Sequence, residues 1–254
     1  MKQIKVRNQI LGQGRPKICI PLMGKDPDEL LSATRFALEA GADMYELRAD
    51  FLESAAEEKS IKEALKGTRD LIGDSPLIFT LRSESEGGKK SLSLDEYMTL
   101  NQMVIETGLA DILDVELCKG EEAIKQLLSA SHQKGMFVLL SNHIFEGTPP
   151  KEEMLAILCR MQQLGADITK LAVMAKSEKD VLTLLDATLS MKEQYGDRPC
   201  ITVSMGQKGI LSRVAGGLFG SALTYALGSE PSAPGQLNAS EVRYVLELLH
   251  EKGL

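Results

Sequence analysis

The sequence predicts a (β/α)8 barrel preceded by a short β-hairpin, a single barrel domain over residues 1–254. Three observations carry that expectation. First, one phrase recurs: GADMYELRAD from Gly41, GLADILDVEL from Gly108 and GADITKLAVM from Gly165, each after an amphipathic helical stretch. A glycine closing a helix is a C-cap signal, and the apolar run behind it starts a strand. Second, eight strand-like runs alternate with helix-patterned segments, which argues for parallel βαβ units. Third, eight such units in about 250 residues is the arithmetic of one closed barrel. A doubly wound open sheet is the competing architecture. No GxGxxG follows the first strand, which weakens its dinucleotide-binding form.

In chain order, IKVRNQILGQGRPKI reads as a hairpin placed to plug the bottom of the barrel. The eight strands are KICIPLM (17–23), MYELR (44–48), LIFTLR (77–82), ILDVEL (112–117), MFVLLSN (136–142), ITKLAVMA (168–175), CITVSM (200–205) and ALTYAL (222–227). Between them lie helical segments such as DELLSATRFALEA, YMTLNQMVIET, EEMLAILCRMQQL and KDVLTLLDATLSMKEQYG.

Composition narrows the function classes. Of 254 residues, 43% are hydrophobic and 26% charged, enough to build a large core. A net charge of -7 argues against a general nucleic-acid or anionic-membrane surface. No apolar run approaches the roughly 20 residues of a membrane span, and MKQIKVRNQILGQG lacks the apolar stretch of a signal peptide. Cys19, Cys118, Cys159 and Cys200 are widely spaced with no CxxC pair. They read as reduced core residues of a cytoplasmic protein with no structural metal.

Side chains alternate across a strand, so residues two apart share a face. Glu46 and Arg48 therefore align, as do Asp114 and Glu116. Arg82 aligns with Ile78 and Thr80, and Lys170 with Ile168 and Ala172. The outer face of a barrel packs on helices, whereas inward residues near the C-terminal mouth can be polar. All of these charges can point inward together. The structural alternative is an ion-pair network inside the barrel. His143 follows the fifth strand in SNHIFEGTPP and so reaches the mouth. His132 sits at a helix end and His250 in the final helix, both positions that read as surface.

A lysine among apolar groups and other cations has its ammonium form disfavoured, and its neutral amine can attack a carbonyl to form a Schiff base. A nearby imidazole suits removal of the proton that the iminium acidifies. The guanidinium groups of Arg48, Arg82 and Arg213 match a carboxylate or polar oxygens. From the residues alone, Lys170 and His143 point to a cofactor-free carbon–oxygen or carbon–carbon lyase acting on a small anionic keto compound.

The segments FTLRSESEGG, SNHIFEGTPP, GADITKLAVM, ITVSMGQKGILSR and SAPGQL, in that order, closely resemble type I 3-dehydroquinate dehydratases of the shikimate pathway. The resemblance runs from KICIPLMGK to VLELLH. It implies a barrel enzyme, usually a homodimer, that needs no metal or organic cofactor. By position, Lys170 forms the imine with 3-dehydroquinate. His143 moves the C2 proton, protonates the departing hydroxyl and helps make and break the imine. Glu86 positions the histidine. Substrate contacts carry over to Glu46, Arg48, Arg82, Arg213, Ser232 and Gln236, with Arg213 on the carboxylate and the SEPSAPGQ stretch as a lid. One departure stands out: many relatives carry a hydroxyl residue where this chain has Pro21, and a proline there predicts an irregular first barrel strand. A class I aldolase of transaldolase type is the competing enzyme, and a catalytically silent binding barrel is the non-enzymatic alternative.

Overall fold

A computed structural model describes residues 2–54 and 57–250 of the chain. The single-domain reading also takes in residues 1, 55–56 and 251–254, which lie outside the described residues. The hairpin pairs β1 (Ile4–Val6) with β2 (Gln9–Leu11) in antiparallel register. The barrel strands are β3 (Lys17–Leu22), β4 (Met44–Arg48), β5 (Leu77–Thr80), β6 (Ile112–Glu116), β7 (Phe137–Ile144), β8 (Ile168–Met174), β9 (Cys200–Met205) and β10 (Leu223–Tyr225). The helices are α1 (Pro27–Glu39), α2 (Glu58–Ile72), α3 (Leu94–Thr107), α4 (Glu121–Gln133), α5 (Lys151–Gln163), α6 (Glu178–Ser190), α7 (Ile210–Phe219) and α8 (Ala239–His250).

The eight barrel strands lie parallel in the order β10-β3-β4-β5-β6-β7-β8-β9. The ring is completed where Ala222 N–H donates to the Cys200 carbonyl at 2.8 Å. The strands thus fall where the sequence predicts, with no end shifted by more than two residues. The period-two reading holds as well. Tyr45, Leu47, Phe79, Leu113, Val115, Leu171 and Val173 face outward into the layer shared with the helices. Met44, Ile78, Ile112, Leu139, Ile168 and Ile201 face the axis, where Ile4, Val6 and Leu11 of the hairpin pack against them. The hairpin therefore seals the N-terminal end of the barrel with apolar side chains.

The recurring phrase has a structural purpose beyond its glycine. Gly41, Gly108 and Gly165 take φ values of 73°, 63° and 99°, the left-handed region that closes a helix cheaply only with glycine. The aspartate that follows then clasps the neighbouring strand at two points. Asp43 N–H donates to the Ile18 carbonyl at 2.9 Å, while Ile18 N–H donates to Asp43 Oδ2 at 2.8 Å. Asp111 makes the same pair of bonds with Leu77, and Asp167 with Val138, at the same distances. Each carboxylate also meets a basic side chain: Arg15 at 2.6 Å, Arg69 at 2.6 Å and His132 at 2.8 Å. Asp111 further holds Arg7 of the hairpin at 2.5 Å, so the plug is bolted to the same clasp.

Three expectations need correcting. Pro21 does not make its strand irregular: β3 runs through it and stays paired with β4, Pro21 standing opposite Glu46. The β10 ladder ends at Cys19, so the missing N–H falls beyond it. Cys19 and Cys200 are buried, but Cys118 is exposed and Cys159 only half-buried. Cys118 lies in a 3-10 turn just past β6, where the chain leaves the barrel wall. His250 is half-buried rather than on the surface, and its Nε2 is shielded from solvent.

Removing the Asp111 carboxylate strands a buried strand N–H and two guanidinium groups. Asp111→Ala is expected to lower the unfolding free energy by about 2–3 kcal/mol, read from the urea midpoint. An unchanged midpoint would show that the clasp contributes nothing.

Candidate active site

Every residue to which the family resemblance gives a part lines one cavity at the C-terminal mouth of the barrel: Lys170, His143, Glu86, Glu46, Arg48, Arg82, Arg213, Ser232 and Gln236. The strands place four of them by parity. Glu46 and Arg48 come from β4, His143 from β7 and Lys170 from β8, while Arg82 and Glu86 follow β5. Arg213 comes from α7, and Ser232 and Gln236 from the segment between β10 and α8.

Lys170 is 5% exposed. Its Nζ lies 3.4 Å from both Glu46 Oε1 and Asp114 Oδ2, and 4.5 Å from the centroid of the Tyr225 ring. Its immediate partners are thus two carboxylates and an aromatic face, not the apolar groups and cations expected from the strand sequence. The apolar neighbours Leu171 and Val173 belong to the outer layer.

His143 is fixed by Glu86. Its Nδ1 lies 2.8 Å from Glu86 Oε2, and its backbone N–H donates to the same oxygen at 3.1 Å. Asn142 Nδ2 donates to Glu86 Oε1 at 3.2 Å. Burial, reinforced by the positive charges of Arg82, Lys170 and Arg48, drives the imidazole well below its usual 6.5. Burial also raises the Glu86 carboxyl, against the pull of Arg82. Both shifts disfavour the ionic form of the pair. A neutral ring donating Nδ1–H to Glu86 leaves the Nε2 lone pair to act as a base. Glu86 itself rides on a tight turn, in which Gly88 N–H donates to Ser83 O at 2.8 Å. A Cβ on Gly88 would sit 2.0 Å from the Arg82 carbonyl oxygen, so only glycine permits that approach.

Arg82 joins the parts. Its Nη2 reaches Asp114 Oδ2 at 2.6 Å, and its Nη1 reaches Glu116 Oε1 at 3.1 Å, Ser141 Oγ at 2.9 Å and Glu86 Oε2 at 3.6 Å. Arg48 makes a two-pronged pair with Asp50, both bonds 2.8 Å. The ion-pair network considered as an alternative is therefore present, and it forms the floor and wall of the cavity. Asp50, Asn142, Ser141 and Tyr225 were not picked out from the sequence. The parity of Asp114 and Glu116 had placed them inward without assigning them a part. Asp50 carried a faint signal, two residues beyond Arg48 in ELRAD.

Arg213 differs from the other guanidinium groups. It is 2% exposed, and among the described residues no carboxylate pairs with it. Among the described residues its Nη groups donate only to the carbonyls of Tyr225 and Pro234, at 3.4 and 3.1 Å, and its Nε has no partner. Burial pushes its pKa down to about 10. A buried cation without a counter-ion is costly, and an anionic ligand would relieve it. Gln236 braces the adjoining loop, accepting Ser232 N–H at 2.8 Å and donating Nε2–H to Ser232 Oγ at 3.0 Å.

The fold and the cavity define a class: a (β/α)8 barrel whose mouth combines a buried lysine, a carboxylate-held histidine and an unpaired arginine. Within that class, the chain belongs to the type I 3-dehydroquinase family, whose sequence model matches residues 18–253. It is 47% identical over 250 residues to the 3-dehydroquinate dehydratase of Clostridioides difficile (strain 630), covering 98% of each chain. It is also 47% identical to that of Bacillus licheniformis over 249 residues, again 98% of each. Its structure is similar to the crystal structure of type I 3-dehydroquinate dehydratase from Clostridium difficile with covalently modified comenic acid, at a TM-score of 0.95 over 99% of this chain and 98% of that one, with 47% identity.

Because the folded-state pKa of His143 lies below its unfolded value, the ring's contribution to stability is complete above about pH 6.5 and lost as pH falls below that. Its NMR signals are expected to show no titration midpoint at or above about pH 6.5. A midpoint at or above 6.5 would contradict the burial argument.

Proposed function

We infer that this chain is a 3-dehydroquinate dehydratase, removing water from 3-dehydroquinate to give 3-dehydroshikimate on the route to aromatic amino acids. One arrangement carries the reading: Lys170 and the Glu86-held His143 open onto a cavity that also contains the unpaired guanidinium of Arg213. That combination suits a small anionic ketone.

Arg213 receives the substrate carboxylate, which supplies the counter-charge its buried guanidinium lacks. Arg48, Arg82, Glu46, Ser232 and Gln236 take the ring hydroxyls. Lys170 Nζ adds to the ketone and expels water to form an iminium, which draws electrons from the adjacent carbon and acidifies its hydrogen. His143 Nε2 removes that C2 proton and then delivers it to the departing hydroxyl. Water hydrolyses the iminium and frees Lys170 with the product. Glu86 keeps the imidazole in the tautomer these transfers need.

Borohydride added with 3-dehydroquinate is expected to leave a reduced adduct on Lys170, located by peptide mapping. Turnover without an adduct there rules out the imine. His143→Ala is expected to form the adduct yet dehydrate at least about a hundredfold more slowly, followed by enone absorbance. Dehydration at the parent rate would remove His143 from its role. The reading extends to a cytoplasmic homodimer, which rests on the family resemblance. Sedimentation is then expected at twice the chain mass, and a monomer at micromolar concentration would refute it.

A further inference from the structure

An amine attacks a ketone only after shedding its third proton, so Lys170 needs a proton acceptor within reach. The resemblance has His143 help make the imine, yet among the described residues no hydrogen bond joins His143 to Lys170. The groups that do touch Nζ are Glu46 Oε1 and Asp114 Oδ2, each at 3.4 Å.

The two carboxylates are not equivalent. The Asp114 oxygen that faces Lys170 also receives Arg82 Nη2 at 2.6 Å, and its other oxygen receives Ser141 Oγ at 2.6 Å. Burial favours protonation of Asp114, but Arg82, Lys170 and Ser141 outweigh it and hold the carboxyl below its usual range. A carboxylate saturated by a guanidinium is a poor base. Glu46 Oε1 takes one other hydrogen bond among the described residues, from the neutral Thr80 hydroxyl at 2.9 Å. On its other side the register sets it opposite Pro21, which offers neither an N–H nor a hydroxyl. Glu46 also lines the cavity, within the space the substrate would occupy.

We propose that Glu46 is the proton acceptor for Lys170, a catalytic role that rests on the imine reading above and goes beyond holding a substrate hydroxyl. Its carboxylate takes one proton from Nζ, leaving a neutral amine. The nitrogen lone pair then bonds to the ketone carbon as the C–O π bond breaks, and Glu46 returns the proton to the resulting oxyanion. A second proton passes from nitrogen to that hydroxyl through the same carboxylate. The C–O bond breaks, water leaves and a C=N bond forms. The positive charge that began on Lys170 ends on the iminium.

The test measures how fast borohydride-trapped adduct accumulates with saturating 3-dehydroquinate, by intact mass, in the parent and in Glu46→Gln between pH 6 and 9. At pH 7 the variant is expected to form adduct at least tenfold more slowly, recovering towards the parent rate as pH rises and hydroxide replaces the lost base. Glu46→Asp, which keeps the carboxylate, is expected to fall between the two, and it carries the test if the glutamine variant does not fold. Parent-rate trapping by Glu46→Gln overturns the proposal, as does a deficit that vanishes at higher substrate concentration or stays constant with pH. A parent that forms no adduct on Lys170 overturns the imine reading and this role with it, whereas a parent that traps normally confines any failure to Glu46.

Discussion

The guanidinium of Arg82 is the contact on which the rest of the site depends. It is 3% exposed and set among Asp114, Glu116 and Glu86, with the Ser141 hydroxyl beside it. Each carboxylate passes the constraint on. Asp114 reaches Lys170, and Glu86 holds His143. Glu116 accepts Ser83 N–H at 2.8 Å and Ser83 Oγ–H at 2.6 Å, which anchors the start of the turn carrying Glu86. Arg82 is therefore both a wall of the cavity and the joint between the reacting lysine and the histidine. Removing one partner from a buried ionic cluster typically costs about 3–5 kcal/mol, because the remaining charges are left uncompensated.

That cluster survives in the barrel because the axis is divided by height. The lower layers are apolar and closed by Ile4, Val6 and Leu11 of the hairpin. The polar layers begin only one residue pair above, at Glu46, Thr80, Asp114, Ser141 and Lys170, on the inward face of β4 to β8. The Tyr225 ring lies against Lys170 from the β10 side, and its buried hydroxyl has no hydrogen-bond partner among the described residues. An aromatic face suits a cation, so the same surface serves the charge on Lys170 before and after a carbonyl condenses with it.

Much of this was legible because strand periodicity is a local property. Alternation in MYELR, LIFTLR, ILDVEL and ITKLAVMA is enough to send their charges inward, and the cavity gathers every residue the family motifs name. Pairing need not be local. Arg48 takes Asp50, two residues away, which leaves a faint trace in ELRAD, whereas Arg82 spans to Asp114 and Ser141 on the next two strands. That second choice does not follow from the sequence around the arginine. The environment of Lys170 was misread for the same reason. Its sequence neighbours are apolar but lie on the far side of the sheet, and its spatial neighbours come from β4, β6 and β10. Cys118 shows the opposite limit: a residue just past the end of a buried strand is already in solvent.

The aspartate clasps at the N-terminal end of the barrel separate tolerance from constraint along its length. Each ties the start of one unit to the strand before it through a backbone pair and a side chain at once, so the spacing from helix end to strand is set to the residue. At the opposite end, the chain between strand and helix has no such fixed span: three residues follow β8, thirteen follow β10. Variation in loop length can therefore accumulate at the mouth, where ligand choice is decided, while the strand register beneath it stays unchanged. A single residue inserted between Asp43 and Glu46 would instead slide β4 by one position past its clasp and turn Glu46 and Arg48 out of the cavity.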